Sequence, residues 1–184
     1  AHRAVVFDDQ ILFWGGRGVA GEINSMDVYD ILQGTWSIGN AGGSPRADHA
    51  GVRVGDLYVI WGGVVQQSIL NNVDIYNLRT GVWSQGISGG RHRFGHTGIG
   101  FDGLVYFWGG LQEAILNSLD VYDPGSDSWI EGDGGGTART QHTAVENQGR
   151  VYFFGGSVDG KILTNHEVYS IPGSTSLSAT QIAL

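Results

Sequence analysis

The sequence predicts an all-β fold made of repeated four-stranded sheets, and three observations carry that prediction. Glycine is very frequent, 32 of 184 residues, while proline is limited to three. That balance suits a chain with many tight turns between short strands, and no G-X-Y period accompanies the glycine. An aromatic residue followed by two glycines occurs at Trp14-Gly15-Gly16, Trp61-Gly62-Gly63, Trp108-Gly109-Gly110 and Phe154-Gly155-Gly156, with steps of 47, 47 and 46 residues. Other landmarks hold the same register. His2, His49, His96 and His142 step by 47, 47 and 46, and Tyr29, Tyr76, Tyr122 and Tyr169 by 47, 46 and 47. Trp36, Trp83 and Trp129, and likewise Arg46, Arg93 and Arg139, step by 47 and 46. A fixed period of this length marks a stack of supersecondary units.

Within each unit the first strand follows the histidine, as in His142-Thr143-Ala144-Val145. A polar tip such as Gly55-Asp56 or Asp102-Gly103 supplies the turn. The second strand is an apolar run such as Leu104-Val105-Tyr106-Phe107-Trp108, read as buried on both faces. The glycine pair gives a sharp exit where a side chain would clash. The third strand carries the Asn-x-x-Asp-Val-Tyr of Asn117 to Tyr122. A turn such as Asp123-Pro124-Gly125 then leads to a fourth strand bearing the Trp. No segment shows capped helical periodicity. Four strands per unit is the blade of a β-propeller, and a blade buries both faces only by stacking on its neighbours. The expected blades run over about 1–45, 46–92, 93–138 and 139–184.

These motifs resemble the kelch repeat: a glycine pair after an apolar run, then a Tyr with a Trp seven residues later, as in Tyr29/Trp36, Tyr76/Trp83 and Tyr122/Trp129. The entries Arg46-Ala47-Asp48-His49, Arg93-Phe94-Gly95-His96 and Arg139-Thr140-Gln141-His142 are similar to those of many kelch sequences. The likeness covers residues 1 to about 170. It departs from the family in two ways. The position of a fourth blade Trp, near 176, falls in Ser174-Thr175-Ser176. Kelch rings usually hold six or seven blades, often closed by a strand exchanged between termini, and four blades without such a strand are visible here. The ring therefore closes with four blades, is completed by further copies, or belongs to something longer. A start at Ala1-His2-Arg3 rather than Met favours the last.

Ten basic residues face eighteen acidic ones, a formal charge of −8. No chain-wide basic footprint for nucleic acid is present, and no Lys/Arg cluster suits anionic lipid. No apolar run reaches membrane-spanning length. Lys161 is the single lysine; the arginine bias points to fixed, planar hydrogen bonding. With no cysteine, disulfides, thiolate catalysis and Cys-based metal sites are excluded. The compartment is not legible; the absence of cysteines and Asn-x-Ser/Thr sequons leans faintly toward a prokaryotic or otherwise unglycosylated setting, and an extracellular or cytoplasmic one stays open.

Propeller topology places the connections after each second strand and those before each first strand at one end of the blades, termed face one. It collects residues 17–22, 64–68, 111–114 and 157–161, with the longer connections 38–48, 85–95 and 131–141. Long loops on a rigid scaffold are where binding concentrates. The repeated Arg46, Arg93 and Arg139 have two readings: a guanidinium ring for a carboxylate or phosphate, or structural pairs with the repeated acids Asp27, Asp74, Asp120 and Glu167. The structural reading is preferred, because a ligand is rarely as symmetric as a blade. The four histidines likewise read as inter-blade groups rather than a metal ring, and the Trp indoles as filling between blades. More informative are residues that break the repeat: Arg17 and Glu22, Gln66 and Gln67, Arg91, His92 and Phe94, Gln112 and Glu113, and Asp159 and Lys161. Arg91-His92-Arg93-Phe94 is the densest basic-aromatic spot and suits an acidic peptide.

The resemblance implies a protein-interaction module, with a protein or peptide partner, no cofactor and no catalytic set. Two alternatives accompany it: a sugar-binding or mutarotase-like propeller, for which Glu22, Glu113 or Glu131 and an arginine would supply the groups, and a structural repeat in a larger surface or fibre protein. Copper oxidases of this fold need a Tyr–Cys crosslink, which the absence of cysteine excludes. The iron-dependent specifier proteins have a Glu, Asp and His series, and Glu131, Asp133 and His142 do not match its spacing.

Overall fold

A computed structural model describes residues 1–171 and shows four blades arranged as a β-propeller. The first blade orders Arg3–Phe7, Gln10–Trp14, Met26–Asp30 and Thr35–Ile38 as neighbouring antiparallel strands. The second orders Ala50–Val54, Leu57–Trp61, Val73–Asn77 and Val82–Gly86, and the third Thr97–Phe101, Leu104–Trp108, Leu119–Asp123 and Ser128–Gly132. In the fourth blade, Thr143–Asn147, Arg150–Phe154 and His166–Ser170 are the three strands among the described residues. The position near 176, expected to lack the blade Trp, lies outside them.

The first strands of successive blades touch one another and line the axis, while the fourth strands form the outer rim. The core lies between blades. Trp14, Met26 and Val28 of blade one meet Tyr58, Ile60 and Tyr76 of blade two, and Trp61, Val73 and Ile75 meet Val105, Phe107 and Tyr122 of blade three. Trp108, Leu119 and Val121 close against Val151 and Phe153 of blade four. Burying an aromatic of this size contributes on the order of 3 kcal/mol.

Each of these Trp side chains enters the same pocket. Trp14, Trp61 and Trp108 each lie 5.1 Å, edge-on, from the histidine of the next blade, His49, His96 and His142. The glycine pair makes that approach possible. At Gly62, with φ +67°, a Cβ would come within 2.6 Å of the His96 ring and 2.7 Å of the Arg93 carbonyl. Gly63, with φ +89°, lies equally tight against Ala47 and His49 of its own blade, and only glycine suits both positions. The pair also links blades through the backbone: the N–H groups of Gly16, Gly63 and Gly110 each donate, at 2.8 Å, to the carbonyl of Arg46, Arg93 and Arg139.

One expectation needs correction. Burial of the second strands on both faces, expected from their apolar runs, holds where a blade has two neighbours, as for Tyr58, Val59, Ile60 and Trp61. In blade one the burial of Gln10–Trp14 alternates, because only one side of that blade is covered, and in blade four Phe154 is exposed for the same reason.

Candidate functional site

Face one is built from two layers. In blades one, two and four a two-residue hairpin follows the glycine pair: Arg17–Gly18 with Gly21–Glu22, Val64–Val65 with Ser68–Ile69, and Ser157–Val158 with Lys161–Ile162. In blades two, three and four the connection entering the blade is bridged to the segment after its glycine pair, Ala47 with Val64, Phe94 with Leu111, and Thr140 with Ser157. The two loop sets therefore share one end of the ring, as topology requires.

The repeated arginines lie beneath this surface rather than on it. Arg46, Arg93 and Arg139 have no accessible side chain and pair with Asp74, Asp120 and Glu167. Arg46 Nη1 also donates to the Gly62 carbonyl at 2.9 Å and to the Asn72 carbonyl at 3.2 Å. Arg93 Nη1 repeats this toward Gly109 and Ser118, both at 3.0 Å, and Arg139 Nη1 toward Gly155 at 2.9 Å. Burial pulls Arg93 down to about 10, opposed by the Asp120 charge. As candidate ligand-binding residues these three are corrected: each guanidinium is consumed in holding the second-strand exit against the third strand, and no face of it reaches solvent.

The histidines follow the same logic. Burial, reinforced by the arginine of the same blade, holds His49 and His96 far below the ordinary imidazole range and His142 at about 3. His142 Nε2 lies 2.9 Å from Thr97 Oγ1, whereas neither ring nitrogen of His49 or His96 has a partner among the described residues. Among the described residues no three His, Asp or Glu side chains are grouped to hold a metal.

Residues that break the repeat do reach the surface, in two groups. In the first, Arg17 donates twice to Glu22 Oε1, at 3.0 and 2.8 Å, and the Gln66 backbone N–H donates to Glu22 Oε2 at 3.2 Å across the blade boundary. The Gln66 N–H and Arg17 hold the Glu22 carboxyl below its usual range. Gln66 and Gln67 are exposed, with φ values of +45° and +73°. A type I′ turn needs that geometry but favours Asn-Gly or Asp-Gly, as the matching Asp159 and Gly160 in blade four supply at +48° and +74°. In the second group, Arg91 reaches Glu131 at 3.7 Å and His92 Nε2 lies 3.1 Å from Gln112 Nε2. Phe94 is half-buried and bridged to Leu111, Glu113 is exposed, and Lys161 is exposed on the blade-four hairpin. Both groups lie on face-one loops, and Lys161 lies on the blade-four hairpin of the same face.

A family model described as the KLHDC2/KLHL20/DRC7 Kelch-repeats domain matches residues 1–156. The chain belongs to the kelch-repeat family. No individually curated protein matches it. The Arg–acid pairs, the inter-blade histidines and the Gly-Gly links give a structural role to three of the repeated landmarks. Glu22 and the Gln66-Gln67 pair, separate candidates by sequence, are joined into one unit by the Gln66 N–H to Glu22 bond. The available signal was two consecutive glutamines where a tight hairpin turn would favour glycine.

Proposed function

We propose that this kelch propeller binds a protein or peptide partner through the rim of face one, with Arg17, Glu22, Gln66 and Gln67 as one contact group and Arg91, His92 and Gln112 as the other. The observation that carries the reading is the Gln66–Gln67 turn. Two non-glycine residues at positive φ cost on the order of 1 kcal/mol each, and such strain tends to persist where it serves a site. Here it presents two long carboxamide side chains to solvent, each able to donate and accept, as recognition of a peptide backbone requires. Glu22 locks the turn in that geometry before any partner arrives, which lowers the ordering cost of association. Arg91 and His92 add a cationic edge for an acidic side chain of the partner. Glu22 is already committed as an acceptor with a lowered pKa, the reverse of what a general acid needs.

The test is selection of a displayed library of random peptides against the folded chain, followed by binding measurements on variants. Gln66→Ala with Gln67→Ala, and separately Arg91→Ala with His92→Ala, should weaken the selected peptides at least tenfold. Asp9→Ala at a tip of the opposite face should leave them unchanged. Peptides that bind all of these variants equally would refute the assignment of the site. Arg93 does not belong in such a variant, because its loss would unsettle the blade.

A further inference from the structure

Two joints of the propeller, between blades one and two and between blades two and three, have both partners among the described residues, and their positions correspond one to one. In each, the connection entering the later blade lies on the Trp of that blade's fourth strand, Gly42 and Gly43 on Trp83, Gly89 and Gly90 on Trp129. The indole N–H donates at 3.0 Å to the Asn40 carbonyl in the first joint and to the Ile87 carbonyl in the second. One residue further along the connection and two further along the strand, the joints differ. In the second, Arg91 faces Glu131 there and reaches it at 3.7 Å. In the first, the matching residues at the repeat steps of 47 and 46 are Ser44 and Gln85. They carry no charge, and a cavity of about 410 Å³ opens between them, with Gly43, Asp74 and Trp83 also on its wall.

The polar groups on that wall are short of donors. Asp74 Oδ2 is fully engaged, by Arg46, by the Ser44 N–H at 2.9 Å and by the Asn72 amide at 3.3 Å. Asp74 Oδ1 takes only a long bond, 3.4 Å, from the Gln85 amide. Because that NH₂ group faces the carboxylate, Gln85 Oε1 is left as an acceptor with no donor among the described residues. Trp83 is half-buried and gives the cavity an aromatic wall. The chain sets guanidinium groups over two of its other indoles, Arg93 over Trp61 at 5.5 Å and Arg139 over Trp108 at 6.0 Å.

We infer that the cavity between blades one and two binds a guanidinium group from outside the chain, an arginine side chain of a protein or peptide, where the next joint supplies its own Arg91. The group donates to Gln85 Oε1 and, as the long amide bond gives way, to Asp74 Oδ1, with its planar face against Trp83. A guanidinium brings five donors and no acceptor, which matches a wall with acceptors to spare; a polyol or an amide would bring further acceptors. The formal charge of −8 also favours the approach of a cation. None of these residues belongs to the two contact groups proposed above, so the site stands or falls apart from them.

The probe is Nα-acetyl-arginine amide, titrated to about 20 mM into the isotope-labelled whole chain, because a single side chain binds in the millimolar range. The Trp83 indole N–H and the Gln85 side-chain amide resonances should shift and saturate. The citrulline counterpart, which keeps the shape but loses the charge and turns one donor into an acceptor, should bind at least about tenfold more weakly. Gln85→Glu should tighten the arginine amide by about threefold or more, and Gln85→Ala should weaken it by about as much, both read at the Trp83 indole. Ser44→Arg with Gln85→Glu installs the pair of the next joint and should abolish binding; if this variant does not fold, Gln85→Ala carries the test. Shifts that do not saturate, equal binding of the citrulline amide or of methyl glucoside, or undiminished binding by the folded double variant or by Gln85→Ala would each overturn the inference.

Discussion

The buried Arg–acid pairs make a graded prediction. Arg46→Met keeps the volume of the side chain and removes its charge. The side chains of Arg46 and Asp74 are both fully buried, so the variant leaves a carboxylate with only the Ser44 N–H at 2.9 Å, the Asn72 amide at 3.3 Å and the Gln85 amide at 3.4 Å. It also strands the Gly62 and Asn72 carbonyls. Breaking one side of a buried pair costs about 3–5 kcal/mol. Arg93→Met should fall in the same range, with the Asp120 side chain 9% exposed. Arg139→Met should cost less, about 1–2 kcal/mol, because the Glu167 side chain is 24% exposed and water takes over part of the lost solvation. With a urea slope of about 2 kcal/mol per molar, the midpoint should fall by about 2 M for Arg46→Met and Arg93→Met, and by under about 1 M for Arg139→Met. Arg46→Met with Asp74→Leu should recover only part of the loss, since it removes the uncompensated carboxylate but still strands the Gly62 and Asn72 carbonyls and the Ser44 N–H. Tryptophan fluorescence in urea reads the parent and the four variants. An Arg46→Met midpoint within about 0.5 M of the parent, or a larger loss at Arg139 than at Arg46, would refute the reasoning that burial of the acid sets the cost.

Three further outcomes follow. The histidines His49, His96 and His142 have folded pKa values depressed by burial, so the unfolded chain binds more protons below about pH 6.5. Their contribution is therefore present above that pH and lost as pH falls toward the folded values, and urea midpoints taken from pH 7 to 4 should drop steeply, less so for His96→Gln. Gly62→Ala forces a Cβ to within 2.6 Å of His96 at φ +67° and should cost about 3 kcal/mol or more, whereas Gly103→Ala, at φ +78° in open space, should cost only about 1 kcal/mol; thermal melts compare the two. Gln66→Asn with Gln67→Gly relaxes the strained turn and should stabilise the chain by about 1 kcal/mol while weakening peptides selected on the parent; a variant that binds as well as the parent would dissociate the strain from the site.

Much of the fold was legible because the repeat overdetermines it. The register of His49, Trp61, Tyr76 and Trp83 with their counterparts marks strands, turns and inter-blade contacts at once, and each landmark answers a packing demand seen in the structure. The preferred pairing of Arg46, Arg93 and Arg139 with Asp74, Asp120 and Glu167 was readable for the same reason, and the fourth acid, Asp27, is exposed on the uncovered side of blade one. What the period could not show is which copies of a position are covered. Phe13 and Ile60 occupy equivalent places, yet Ile60 is fully buried and Phe13 is not, because burial here is a property of the neighbouring blade and not of the residue. Nor could spacing reveal that Glu22 crosses a blade boundary to reach Gln66, since that contact joins two loops 44 residues apart.

The same contrast bears on where recognition resides. A repeated residue meets the same demand in every blade, and the demands seen here are structural: Arg46 binds its acid and carbonyls, His49 fills beside Trp14, Gly62 admits His96. Such residues are buried and present no accessible polar group to a partner. Gln66 and Gln67 are the reverse case. Their backbone geometry favours residues other than glutamine, their side chains are exposed, and the structural groups around them, Arg17 and Glu22, hold them in place instead of using them. The proposed peptide-binding site therefore rests on this turn, whose positive-φ backbone displays two exposed carboxamides, and not on the buried arginines.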